Sequence, residues 1–200
     1  MLAAMKTEIT RADILKMDDY ARERRTLRAD VVALKRLRRI AVGPFATFHF
    51  ENYRTMWHQV HEMLFVEKGG EAQVADELSA FNPLIPKGRE LVATVMLEIP
   101  DPVVRARTLA RLGGIERHIF VAVGSIRVGA RAETDVERTT AAGKTSSVHF
   151  VHFDFGPAEV ASFRDPEIQV VVGIDHPEYG HMAVMAQAMR AALAEDFAVS

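Results

Sequence analysis

Between residues 53 and 64, Tyr53, Met56, Trp57, Val60, Met63 and Leu64 recur at three- and four-residue intervals, the spacing of a helix with one apolar stripe. At about 100° per residue His58, Glu62 and Phe65 fall on the far side and His61 at the stripe's edge. A covered imidazole or carboxylate needs partners, so this helix is expected to be contacted on two sides and to carry chemistry. Upstream, Thr10 and Asp13 resemble a capping box that opens a short helix through Met17. Tyr20, Leu27, Val31 and Leu34 then mark a helix over 18–37. Residues 39–42 and 45–50 read as two short strands around Gly43-Pro44, and 71–81 as a helix behind Gly69-Gly70.

In the second half, Leu91, Ala93, Val95, Leu97 and Ile99 alternate with Val92, Thr94, Met96 and Glu98, predicting a long strand with one strongly apolar face. A helix is expected over 103–112. A strand over 116–123 should turn at Gly124-Ser125 into another at 126–128. The polar stretch 130–146 is expected to be a mobile loop. Residues 147–155 form a second long strand, Pro157 opens a short helix, and the β-branched run 168–174 is a buried strand. Asp175-His176-Pro177 is expected to lead into a last helix with Met182, Met185, Met189 and Leu193 on one face. The sum predicts a single α+β domain over 1–200, with a flexible tail at 1–9 and a largely antiparallel or mixed sheet of about seven strands covered by helices.

Composition narrows the function classes. The 200 residues are 48% hydrophobic and 26% charged, enough for one core. A formal charge of −2 gives no general attraction to phosphate backbones or anionic lipid, so neither nucleic acid nor membrane is expected as a partner. Lys35, Arg36, Arg38 and Arg39 read as cations at a solvated helix end. With no cysteine, disulfides, thiolate metal sites and cysteine nucleophiles are excluded within the chain. No apolar run approaches a spanning helix, and a cytoplasmic location is expected.

The chemistry-bearing residues are histidines and carboxylates. His58, His61 and Glu62 have spacings that bring side chains toward one ion from a single helix, in a different order from the zinc-protease motif. Glu116 and His118, two apart on the expected strand, point to one face. His149 faces with Val151 and Phe153, and His152 with Phe150 and Asp154; Ser147-His149 and His152-Asp154 are weak matches to catalytic pairs. Gly143-Lys144-Thr145 lacks the preceding glycine and following helix of a phosphate loop.

Glu62-Met63, the run 91–99, Gly114-Ile115-Glu116-Arg117-His118, Thr145-Ser146-Ser147-Val148-His149 and Asp175-His176-Pro177-Glu178-Tyr179 together resemble an uncharacterised bacterial family, domain of unknown function 3501. The resemblance covers nearly the whole chain from Ile9. Its members tend to be encoded beside rubrerythrin-like and iron–sulfur oxidoreductase genes. What it implies is an accessory or interaction protein of a redox or oxidative-stress system, with a redox-protein partner; the chain is also expected to be a homodimer. The alternative is a metal-dependent enzyme or metal-binding protein. There His61, Glu62, Glu116 and His118 would hold an iron, manganese or zinc ion, and His118, His149 and His176 would be catalytic.

Overall fold

The computed structural model describes residues 5–133 and 144–198. Among the described residues nine strands form two antiparallel sheets, where about seven strands in one sheet were expected. The first sheet runs in the order β1 (Arg39–Val42), β2 (Ala46–Glu51), β3 (Glu90–Leu97), β7 (Val148–Asp154), β6 (Arg131–Ala132). The second runs β5 (Ile126–Gly129), β4 (Ile119–Val123), β8 (Val170–His176), β9 (Tyr179–Val184).

Register explains why two sheets form. Phe48 pairs with Val95, Phe50 with Ala93 and Leu91 with Phe153, so one face of the first sheet is apolar apart from His149. Val121 pairs with Val172 and Ile119 with Ile174 in the second. These faces share one buried cluster, the core of a two-sheet sandwich. The helices α4 (Pro102–Arg111), α5 (Pro157–Arg164) and α6 (Gln187–Ala194) add Leu109, Phe163, Met189 and Leu193 to it.

The opposite face of β3 belongs to a second cluster, where Val92 meets Met56, Val60 and Leu64 of α2 (Tyr53–Glu67) and Val74 of α3 (Gly70–Phe81). Asn52 caps α2: its side chain accepts from the Thr55 amide at 3.0 Å, and Thr55 Oγ1 accepts from the Asn52 amide at 2.9 Å. The helix α1 (Met17–Arg36) packs over α2 and covers its second side.

Tyr179 ties the two sheets together. Its hydroxyl donates to the Val42 carbonyl at 2.7 Å and accepts from the Phe45 and Ala46 amides at 2.9 Å each. The turn it holds requires Gly43, whose φ is +71° and where a Cβ would meet the Tyr179 hydroxyl and the His181 ring.

Several expectations need correction. The capping box at Thr10 opens only a 3₁₀ turn, Arg11–Asp13. Residues 115–118 are a 3₁₀ turn rather than the start of a strand. The chain after His176 returns as β9, so Met182 is 70% exposed while Met185, Met189 and Leu193 enter the core. Pro177-Glu178 is the two-residue turn of a tight hairpin here, which the methionine spacing concealed. Within 130–146, Arg131 and Ala132 are sheet residues, while 134–143 lie outside the described residues. In the stretch expected to be a tail, Ile9 is 1% exposed and its amide donates to Asn82 Oδ1 at 2.7 Å. Arg38 is not solvated but buried.

Candidate functional site

Four of the residues singled out by sequence converge around the 3₁₀ turn Ile115–His118. Because β4 pairs Ile119 with Ile174 of β8, the residues just outside that pair, His118 and Asp175, lie side by side. His118 Nδ1 is 3.1 Å from Asp175 Oδ1, and Arg127 of β5 donates to Asp175 Oδ2 at 2.6 Å. The Arg127 hydrogen bond, with that of His118 behind it, holds the Asp175 carboxyl below the usual carboxylate range. The carboxylate accepts, so Nδ1 carries the proton and Nε2 is left as the basic nitrogen. The side chain of His118 is 38% exposed.

His176 stands edge-on to His118 with ring centroids 5.0 Å apart. Its Nε2 lies 3.4 Å from the Gly113 carbonyl, and its Nδ1 accepts from the Glu178 amide at 3.2 Å. Both ring nitrogens of His176 thus lie against backbone groups, and its ring packs edge-on against His118. Glu116 turns the other way. Residues two apart on a strand share a face, but at three residues per turn they diverge by two-thirds of a turn. Glu116 therefore points inward, its Oε2 3.8 Å from Nδ1 of His149. His149 is 1% exposed, on the sandwich face of β7 opposite Val95, with its Nε2 3.0 Å from the Ser146 carbonyl and 3.1 Å from Thr145 Oγ1.

His61 and Glu62 are committed elsewhere. His61 is fully buried against Trp57 and Tyr20; its Nδ1 lies 2.7 Å from the Trp57 carbonyl and its Nε2 accepts from the Leu15 amide at 3.1 Å. With both nitrogens spent, it has no lone pair for an ion. Glu62 receives the Tyr20 hydroxyl at 2.6 Å and a two-pronged Arg24 guanidinium at 2.7 and 2.8 Å. Arg24 is the main reason its carboxyl is held down to about 2, and burial pushes the Tyr20 hydroxyl up. The four residues expected to share a metal are therefore divided between α1/α2 and the 115–118 turn. Among the described residues no group of three or more His, Asp or Glu is arranged to hold an ion.

One cluster escaped sequence reading. His152 on the helix-facing side of β7 has Nδ1 2.8 Å from Glu90 Oε2 and Nε2 3.4 Å from Glu133 Oε1. Asp154, the expected partner of His152, instead receives Arg131 at 3.0 and 3.1 Å. Burial opposes charge on His152, but the two carboxylates outweigh it and its pKa is raised. Glu90 lies 62 residues away, and only the β3–β7 register, Val92 opposite His152, brings it within reach.

Comparison with known proteins places the chain. The profile of a family described as "Protein of unknown function (DUF3501)" matches residues 8–197. A solved structure from Burkholderia pseudomallei K96243, described as a novel protein of unknown function, is 37% identical, with a TM-score of 0.88 over 95% of this chain and 99% of that one. No curated protein matches. Neither description names a redox role, a metal or a partner. Among the described residues no helix is long and apolar enough to cross a membrane.

Proposed function

Since this chain belongs to the family described as "Protein of unknown function (DUF3501)", whose description assigns no reaction, we propose from geometry that it is an acid–base enzyme whose proton carrier is His118. The observation that carries this reading is the 3.1 Å approach of Asp175 Oδ1 to His118 Nδ1, which leaves the imidazole's other nitrogen basic on a half-exposed side chain. Arg127 keeps Asp175 ionised, and His176, fixed by the backbone, limits rotation of the His118 ring. Glu116 and His149 position the turn from within. Of the three histidines expected to be catalytic, His118 takes the proton and the other two position it.

Acylation by diethyl pyrocarbonate, followed residue by residue by mass spectrometry, tests this. His118 should react several-fold faster than the exposed His181, and Asp175→Asn should remove most of that advantage at neutral pH. Equal rates for His118 and His181, or an unchanged rate in Asp175→Asn, would sink the assignment.

A further inference from the structure

A groove of ≈ 520 Å³ opens where the 3₁₀ turn Arg11–Asp13, the start of α1, the end of α2 and the start of α3 meet. Its floor is apolar: Ile14, Leu15, Met17, Leu64, Phe65 and Val74. The volume is that of a single small-molecule site. Its rim is not neutral. Arg11 is held by Glu71 across the rim, and Asp18 is the other acid. Lys16 and Lys68 are exposed, and among the described residues neither side chain has an ion-pair or hydrogen-bond partner. Three cations therefore stand against two anions; with Arg11 and Glu71 paired to each other, Lys16 and Lys68 outnumber Asp18 and leave the rim one positive charge in excess.

Local structure sets both lysines at this rim. Lys16 immediately precedes α1, a 20-residue helix whose first turn carries Asp18 and Asp19. Lys68 ends α2 in the left-handed region, with φ 55°, and its amide still bonds Leu64, the residue on the floor. A hydrocarbon floor beneath two unpaired ammonium groups is complementary to a ligand with one anionic head and an aliphatic body. We propose that this groove binds a single-chain acyl carboxylate, a fatty-acid anion, with its chain over Leu64 and Val74 and its head between Lys16 and Lys68. The inference stands apart from the His118 site, with which the groove shares no residue.

Isothermal titration with dodecanoate below its micelle concentration tests it, with dodecanol and dodecyltrimethylammonium as neutral and cationic controls. Saturable binding of one dodecanoate per chain is expected. The double variant Lys16→Glu/Lys68→Glu should weaken it at least tenfold, and Ala21→Trp, which places a ring at the exposed groove wall, should abolish it. Absence of saturable binding, equal binding of dodecanol, or unchanged affinity in the double variant would overturn the proposal. Both lysines are exposed, so that variant retains the fold and decides the question even if Ala21→Trp does not.

Discussion

Glu62 illustrates how a side chain's role depends on what covers it. On its own helix it has only His58 nearby, 3.9 Å away. The structure adds Arg24 and Tyr20 from a helix some 40 residues upstream, and a candidate ligand becomes a structural anchor. Its folded pKa, about 2, lies below the ordinary 4.5, so its contribution is complete above pH 4.5 and is lost as pH falls toward 2. Glu62→Gln should cost about 1–2 kcal/mol at pH 7, the worth of charge-assisted hydrogen bonds at a partly buried site. Urea unfolding from pH 7 to pH 2 should show that deficit shrinking below pH 4.5; a deficit constant with pH would refute the anchoring role. His61 teaches the same lesson, since the i+3 spacing from His58 is visible in sequence but the Leu15 amide that occupies its Nε2 is not.

At the scale of elements, the two-residue strand β6 is held to β7 by side-chain charge as much as by its ladder. Glu133, just beyond β6, reaches His152 and donates its amide to the Phe150 carbonyl at 3.2 Å. Arg131 binds Asp154 and lies 3.7 Å from Glu90. His152, with its raised pKa, completes this set when protonated, so the contribution is full below its ordinary 6.5 and fades as pH rises through the higher folded value. Glu90→Gln should lower the hydrogen-exchange protection factor of the Glu133 amide about tenfold at pH 6, equivalent to about 1.4 kcal/mol, and by less at pH 9. An equal loss at both pH values would mean that His152 charge plays no part. Most helices and strands are legible from period alone, because one-sided burial imposes it. The exceptions, the 115–118 turn, β6 and β9, are short segments of two to six residues that carry too little periodicity to separate a 3₁₀ turn from a strand, a strand from a loop or a strand from a helix.

At the scale of the whole molecule, Arg38 joins parts of the chain that sequence reading left unconnected. It is 2% exposed and donates to the carbonyls of Phe50 at 3.0 Å, Glu51 at 3.1 Å and Ala192 at 2.9 Å, besides pairing with Asp196. The C-terminal segment is thereby fastened to β2. Arg38→Met leaves Asp196 buried without its counter-charge, which should cost about 3–5 kcal/mol. Guanidinium unfolding measures this, and a loss under 1 kcal/mol would show that the pair is dispensable.

What the sequence by itself determined is the α+β class, the positions of most helices and strands, and the family likeness. Each follows from short-range patterns: period, caps and ordered motifs. The division into two sheets, the convergence of His118 with Asp175, the inward turn of Glu116 and the removal of His61 and Glu62 to another set of partners were decided only by tertiary structure. Those outcomes depend on which strand pairs with which, and in what register. Pairing is settled by burying two apolar faces together across more than fifty residues of chain, a long-range balance that no local spacing records.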